Sequence, residues 1–566
     1  MAEQFLQSLT VTLKQYMSLD TGQYMIPFSQ RPYEWTEVQV ERLFRDLTSL
    51  GLPGAYETKH VLNFFTFSNE EEKLKLFDGQ QRTVTTLMIY AEGLRLSVER
   101  GELNVKFASK KYQNYISDED ENGTVTPKVV FDKGEVTDEF YKLIDFENDY
   151  LVKEHEGLDL SIRSFIRNRL KIQQLWREIV SDDPDVVVKE ILSRFLESTY
   201  LIEIIATTEE VAQRMFETLN NTGKTLESYY VLKNDLVSKL GESVVREKWN
   251  KLDDLLGDLD RRTFLSTVAT LFAGKIDKQN VLESIYTSYE GGISIGLLDA
   301  LLEIAVAYDK AINPNQMEIS NVIERDEYNY TIDSLRDVFG LKQQTPMLTA
   351  MILSNYSTSD EIAVLKKVKS LAVRLLFFKE GRANSFENPL AEMAHAVYED
   401  KIPVKEIFNK LQEGGLNISD DSLRSVIVDR EITTPSARKK AKFVFKELYN
   451  QELAKNQSET MLPNNLQKIH YEHILPEKPK SGSEWMKDFP DDTTREHLTK
   501  TLGNATLLIG SKNEKLGNKE FSDKREIYKT SSLIENRRLA ENKRWTAKEI
   551  KKRSVLLAEQ FVKLYK

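Results

Sequence analysis

Between about residues 160 and 455, apolar residues recur every three or four positions, and this spacing limits the chain to few architectures. The segments IRNRLKIQQLWREIV, EVAQRMFETLN, REKWNKLDDLLGDLD, EIAVLKKVKSLAVRLLFF and ARKKAKFVFKELYNQELA all carry it. The period lays apolar side chains along one stripe of an α-helix and leaves charged residues on the opposite face. Such stripes must pack on one another, so a body of packed helices is expected. No repeat of fixed length accompanies the pattern, which argues against a solenoid.

The flanks read differently. Near the start, the turn-rich YMIPFSQRPYEW precedes the helical TEVQVERLFRDLTSL, in which Val38, Leu43, Phe44 and Leu47 share a face. KLKLF reads as a strand, DGQQR follows it, and TVTTLMIYAEGLRLSVER reads as a helix. Residues 101–160, with the acidic turn SDEDENG, read as a mobile or peripheral insertion. The polar KNQSETMLPNNLQK reads as a linker. Beyond it come strand-like KIHYEHIL, a loop rich in Pro, Lys, Gly and Ser, a second strand NATLLI, and helices. The expected class is α+β, predominantly helical. The expected domains are 1–240 with its insertion, a helical 241–455, and 456–566.

Composition narrows the chemistry. The 566 residues include no cysteine, which excludes disulfides, cysteine-ligated zinc or iron–sulfur centres and thiol nucleophiles. The segment MAEQFLQSLTVTLKQYM lacks the pattern of a signal peptide, and no apolar run reaches the ~20 residues of a membrane span. A cytoplasmic setting without membrane contact is expected. Net charge is −11, but residues 501–566 hold 16 Lys+Arg against 8 Asp+Glu, a local +8 that leaves −19 on the rest. An acidic body with one basic face is expected.

Two of the six histidines fall in IHYEHILPEKP. A carboxylate beside a histidine at a strand end suits phosphodiester hydrolysis: Glu472 would hold a divalent metal while a neutral His473 takes a proton from the attacking water. Downstream, in LGNATLLIGSKNEKLGN, Asn504 opens a strand and Asn513 falls near a helix start. Asn504 would orient the imidazole through a backbone contact, and Asn513 would complete the metal shell. Neighbours on a strand point to opposite faces, so Glu472 and His473 share a site only if the strand ends or twists there; otherwise His470 shares the face of Glu472.

In the other flank, DGQQR sits between a strand and a helix, where free backbone N–H groups favour an anion such as phosphate. Arg82 would fork onto phosphate oxygens, Asp78 would hold a metal or its water, and Gln80 or Gln81 would orient a nucleophile. The plainer reading is that Asp78 and Gly79 turn the chain and cap the helix. NTGKT resembles the end of a P-loop, but Thr218 stands where that motif needs its first glycine. Arg31, Tyr33 and Trp35 read as a packed turn, with DNA contact as the alternative.

In order, EHILP, LGN.TLL, N, LGN..F..K and WTAKEIKKR resemble the HNH nuclease module of GmrSD-type restriction proteins, a ββα-metal fold, over about residues 469–566. Phe521, Lys524, Trp545, Ile550 and Arg553 fall on its pattern. QRPYEW, followed about fifty residues later by FDGQQRTVTTL, and then FETLNNTGKTLESYYVLKNDL, resemble the same family's N-terminal domain, which is similar to the ParB/sulfiredoxin-like fold. Phe216, Asn220, Gly223, Leu226, Lys233 and Asn234 match there. The departures are Asn63 for glycine, Thr222 for arginine and Tyr230 for an acidic residue.

The resemblance implies His473 as general base, Asn504 as its orienting residue, and Glu472 and Asn513 on the metal. It implies Gln30, Arg31, Asp78, Gly79, Gln80, Gln81 and Arg82 around a nucleoside triphosphate (GTP, ATP or another). The expected activity, in the manner of BrxU-like and SspE-like single chains, is a nucleotide-regulated DNA endonuclease using Mg²⁺ or Mn²⁺ on double-stranded, modified phage DNA. Lys524, Lys551, Lys552 and Arg553 are expected on the DNA backbone, and a homo-oligomer is left open. Two other classes stay open: a regulatory NTPase whose HNH module binds without cutting, and a nuclease toxin acting on host nucleic acid.

Overall fold

The computed structural model describes residues 6–18, 23–52, 54, 58–70, 73–119, 125–148, 158–220, 228–455, 461–509 and 516–566. They form two compact units, Met1–Trp249 with Ile293–Ile295, and Asn250–Gly292 with Gly296–Lys566. The class is predominantly helical α+β, as the apolar spacing predicts. No helix among the described residues is long and apolar enough to cross a membrane.

The first unit contains β1 (Leu6–Thr12), β2 (Tyr24–Ile26), β3 (His60–Glu70), β4 (Lys73–Asp78), β5 (Ser117–Glu119), β6 (Val125–Pro127), β7 (Val129–Phe131) and β8 (Thr199–Ala206). Six of them make a mixed sheet in the order β1–β8–β3–β4–β2–β7, and β5 pairs with β6. The first and third neighbour pairs, β1–β8 and β3–β4, are antiparallel, whereas β8–β3, β4–β2 and β2–β7 are parallel. Against this sheet lies the helix Gln80–Glu99, buried on nearly every side. Its buried threonines bond back to the backbone, Thr83 Oγ1 to Gly79 O at 3.0 Å and Thr85 Oγ1 to Gln81 O at 2.8 Å, so a polar stretch can be enclosed. Trp176, on the helix Leu160–Asp182, donates its indole N–H to Ile89 O at 3.1 Å. Between the same two helices, buried Glu92 accepts from Arg169 Nε at 2.6 Å and from Gln173 Nε2 at 3.0 Å.

Two expectations need correction here. In the helix Glu37–Thr48 the buried face is Val40, Leu43, Phe44 and Leu47, whereas Val38 is 77% exposed. A shift of two residues is about half a helical turn and moves a side chain to the far face. The described residues of 101–160 are also not peripheral, and most of the acidic turn SDEDENG lies outside the described residues. Strand β7 joins the central sheet, and Val136, Phe140, Leu143 and Ile144 from the helix Gly134–Ile144 enter the unit's core. Their spacing is helical, but it is hidden among charged neighbours.

In the second unit the helices continue to Pro435–Lys455. There follow β9 (Ile469–His473), β10 (Ala505–Ile509) and the helices Phe521–Lys529, Ile534–Leu539 and Ala547–Leu564. The strands pair antiparallel, with His473 opposite Ala505 and Glu472 opposite Thr506. The helix Pro435–Lys455 packs on both strands, and Ala547–Leu564 packs on the helix Asp420–Val428 and on the turn Leu502–Asn504. Arg374 joins these elements by donating to Tyr565 O at 3.0 Å and to Ile418 O at 2.6 Å. Trp485, Phe489, Phe521, Tyr528 and Trp545 fill the core beside the strands.

The same unit buries a carboxyl whose desolvation the Tyr328 hydroxyl and the Lys310 charge offset only in part. Glu361 is 2% exposed, and its Oε2 has no hydrogen-bond partner among the described residues. Burial pushes this carboxyl up to about 7. A folded-state value above the unfolded one means that the native state binds the extra proton, so stability falls as pH rises from about 4.5 to 7. The loss is on the order of 3 kcal/mol, at about 1.4 kcal/mol per unit. Glu361→Gln should lack this slope. In urea denaturation at pH 5.5 and pH 8, the variant is expected to gain on the wild type at the higher pH. Parallel slopes would refute the assignment.

Candidate functional site

In the first unit, β4 ends at Asp78, and Gly79 turns the chain into the helix at φ +96°. A Cβ at Gly79 would stand 2.3 Å from the Phe65 ring, so both conformation and space require glycine. The Asp78 carboxylate accepts the Gly79 N–H at 2.7 Å. The two sequence motifs meet at this turn. Gln80 Nε2 donates to Gln30 Oε1 at 3.2 Å. Gln81 Oε1 accepts from the Glu34 N–H at 3.0 Å and the Trp35 N–H at 3.3 Å, while its Nε2 donates to Pro32 O at 3.0 Å. Tyr33 is buried, with its hydroxyl 2.7 Å from Thr85 Oγ1, as a packed turn requires.

Arg82 turns inward. Its guanidinium donates to Leu62 O, to Phe64 O at 2.9 Å and to Asp78 Oδ1 at 3.2 Å, and lies 4.6 Å from the Phe65 ring. The two carbonyls flank Asn63, which has φ +74° at a break in the β3–β8 register. Asparagine is among the few non-glycine residues that enter the left-handed region readily, so it can hold here the conformation that a glycine would take. Tyr230, in place of an acid, donates to the Glu34 carboxylate at 2.5 Å. Of the predicted nucleotide residues, Gln30, Gln80 and Gln81 are buried, whereas Arg31, Asp78 and Arg82 reach solvent in part. The NTGKT segment, with Thr222, Gly223 and Leu226, lies outside the described residues.

In the second unit, β9 ends at His473, and its side chains diverge. Tyr471 and His473 share one face, with ring centroids 5.1 Å apart. Glu472 turns the other way and accepts from Lys524 Nζ at 2.6 Å; the same ammonium donates to His473 O at 2.8 Å. Burial pushes the Glu472 carboxyl up and the Lys524 ammonium down, and each partner offsets part of the other's shift. His470, half-buried opposite Leu508, alternates onto the face of Glu472. Asn504 is fully enclosed. Its Oδ1 accepts from Leu475 N at 2.8 Å and Trp545 Nε1 at 3.2 Å, and its Nδ2 donates to Leu475 O at 2.9 Å and Thr499 O at 3.1 Å. It thus sets the backbone two residues past His473. Gly503 beside it is required too, because a Cβ there would meet Ile550 O at 2.5 Å.

Burial pushes the His473 imidazole down to about 4, against the pull of the Glu477 carboxylate, so it is neutral at pH 7. Its Nε2 has no hydrogen-bond partner among the described residues and lies 3.6 Å from Glu477 Oε1, which takes Arg438 Nη2 at 2.6 Å. Sequence reasoning missed Tyr471, Glu477 and Arg438. The alternation of Tyr471 with His473 was a usable signal; Arg438, on the helix before the linker, carried none.

Among the described residues, no three His, Asp or Glu side chains converge as a metal-binding group. Glu472, the carboxylate assigned to metal, is engaged by Lys524, and Asn513 lies outside the described residues. Two of the predicted DNA contacts also need correction. Lys524 has no exposed side-chain surface, and Arg553 is buried with its guanidinium on Gly503 O at 2.8 Å and Ala505 O at 2.5 Å. Lys551 and Lys552 are exposed.

The glutamine contacts predict a split in the first unit. Gln81→Ala leaves two N–H groups and a carbonyl without partners, and should cost about 2–3 kcal/mol. Arg31→Ala, whose ion-pair contact among the described residues is Glu34 at 4.0 Å, should change stability by less than about 0.5 kcal/mol. Chemical denaturation of the two variants checks this; equal losses would contradict the assigned roles.

Two family models match the chain. The N-terminal domain of GmrSD restriction endonucleases matches residues 13–237, and the C-terminal domain of GmrSD restriction endonucleases matches residues 418–560. No curated protein matches. The C-terminal match takes in the helices Asp420–Val428 and Pro435–Lys455, both of which pack against the strand module. With both domains of the family matched in order along one sequence, the chain belongs to the GmrSD-type restriction endonucleases.

Proposed function

We propose that this restriction nuclease is an HNH-type DNA endonuclease that cuts modified phage DNA with a divalent metal, Mg²⁺ or Mn²⁺, under control of a nucleoside triphosphate. The supporting observation is His473. It ends the first of two antiparallel strands, it is neutral at pH 7, and its Nε2 has no partner among the described residues. A neutral imidazole with a free ring nitrogen is an acceptor for the proton of an attacking water. A phosphate beside it would raise its affinity for that proton. Asn504 acts as a positioning residue by fixing the chain past His473. A divalent cation would supply charge stabilisation on the phosphate. Glu472 is its candidate ligand, with Asn513 as the second.

The nucleotide would lie at the start of the helix Gln80–Glu99, where the first-turn N–H groups favour phosphate. Arg31 and Asp78 are the partly exposed charges there. GTP, ATP and other triphosphates share the groups such a site reads. Lys551 and Lys552 would meet the DNA backbone.

One observation favours a second reading, a regulatory NTPase whose C-terminal module binds nucleic acid without cutting: Lys524 already neutralises Glu472. Plasmid cleavage separates the two. Wild type and His473→Ala are incubated with Mg²⁺, Mn²⁺ or EDTA, on unmodified and phage-modified DNA, with and without nucleotides. Metal-dependent cutting is expected from the wild type, with at least about a hundredfold loss in the variant. Nucleotide turnover without any strand cleavage would establish the second reading.

A further inference from the structure

Two residues that touch Glu477 each leave a buried polar atom with no hydrogen-bond partner among the described residues, His473 Nε2 and Arg438 Nε, and so does Tyr471 Oη, whose ring lies 5.1 Å from that of His473 on the same strand face. Buried polar atoms are nearly always paired, so three such atoms in one neighbourhood call for a ligand. They come from two elements, β9 and the helix Pro435–Lys455. Two of them, the tyrosine hydroxyl and the guanidinium Nε, are donors, and an imidazole nitrogen can serve as donor or acceptor. This set matches a phosphodiester with a water beside it: the donors take phosphate oxygens, and the imidazole takes the water's proton.

The space between them is held by an anion belonging to the chain itself. Glu477 reaches in from the turn after β9. Its Oε1 accepts from Arg438 Nη2 at 2.6 Å and stands 3.6 Å from His473 Nε2. The Glu477 side chain is half exposed, so it can swing out without disturbing the core, whereas Tyr471 and His473 are fixed in the strand. Pro476 before it is buried and anchors the turn from which the side chain would move.

We infer that the Glu477 carboxylate is an internal stand-in for a DNA phosphate. It occupies an anion subsite formed by Arg438, Tyr471 and His473, and the substrate phosphodiester displaces it. The inference rests on the reading of His473 as part of a nuclease site. It adds Arg438 and Tyr471 as phosphate contacts, and Glu477 as a contact that substrate must break. An arginine freed from one carboxylate can fork onto two phosphate oxygens. Binding is then an exchange of one anion for another, and the DNA affinity of the resting protein is lowered by the strength of the internal pair.

Anisotropy of a fluorescent duplex DNA in EDTA reads this exchange without cleavage, on unmodified and phage-modified duplexes. Glu477→Gln, which removes the charge and keeps the shape, should bind about fivefold tighter with a salt slope steeper by about 0.9, the value for one added phosphate contact. Arg438→Ala should bind more weakly than wild type, and in the double variant the gain from Glu477→Gln should vanish. A gain that survives without Arg438 would mean only that the surface lost a negative charge, and would overturn the inference. So would a folded Glu477→Gln that binds like wild type. If Arg438→Ala does not fold, Arg438→Lys replaces it; loss of at least half of the gain is expected, and an undiminished gain refutes the fork. The wild type in the cleavage assay separates this inference from the reading beneath it. Cutting with no gain in Glu477→Gln removes the stand-in and keeps the nuclease. A chain that neither binds nor cuts either duplex removes both.

Discussion

The amide of Asn504 holds the C-terminal module together. It is completely buried and makes four hydrogen bonds, to both backbone groups of Leu475, to Thr499 O and to Trp545 Nε1. One side chain thus fixes the turn leaving β9, the end of the helix before β10 and the indole stacked on Phe521. The need for such a clamp follows from the size of the sheet. Two strands of five residues are marginal by themselves. Their rigidity comes from buried polar ties: Asn504, the Lys524–Glu472 pair, Arg553 on the carbonyls beside Gly503, and Asn536 between Thr506 and Leu507 O. Each is costly to leave half-made, which is why a module of this kind adopts one arrangement or none.

The first unit uses the same device at its strand-to-helix turn. Gln81 and Arg82 sit at the start of a helix, where phosphate affinity is the first thought, yet Gln81 pins the Pro32–Trp35 turn and Arg82 locks the bulge at Asn63. A motif therefore mixes two sorts of residue. Some build the frame that gives a site its shape. Others, such as Arg31 and Asp78 here, keep charge toward solvent. Spacing along the chain cannot separate them, because both sorts are polar and both recur at the same positions.

That limit marks how far the sequence can be read. The strands KLKLF and IHYEH, the helix after DGQQR and the helical body are all legible, because side-chain period is a local property. The packed stretch after residue 101 was hidden because its apolar residues are diluted by charge. Lys524 and Arg553 were misread for a different reason. Long cations are exposed by default, and only the tertiary structure shows which of them finds a carboxylate or a cluster of carbonyls to justify burial. Arg438 and Glu477, 39 residues apart, meet through the packing of the helix Pro435–Lys455 on the strands, and no local pattern reports that contact.

The basic character of residues 501–566 changes meaning in the same light. Five of the 16 cations are arginines, each tied to a group of the module itself. Arg525 donates to Ala540 O, Arg537 to Ser531 O, Arg538 pairs with Glu535 and Arg544 with Asp488, besides Arg553 itself. A planar fork of donors suits carbonyl clusters and carboxylates; Arg553 is buried on this basis and Arg525 half-buried, whereas Arg537, Arg538 and Arg544 stay exposed while paired. The exposed lysines among the described residues of 501–566 are Lys519, Lys529, Lys543, Lys548, Lys551, Lys552, Lys563 and Lys566. A hydrated point charge on a flexible stem attracts a phosphate backbone without choosing a sequence. These cations supply a general attraction to DNA on a chain of net charge −11, but no preference for one place along it. Commitment must then come from a short-range contact at the site, which only a correctly placed phosphodiester can make.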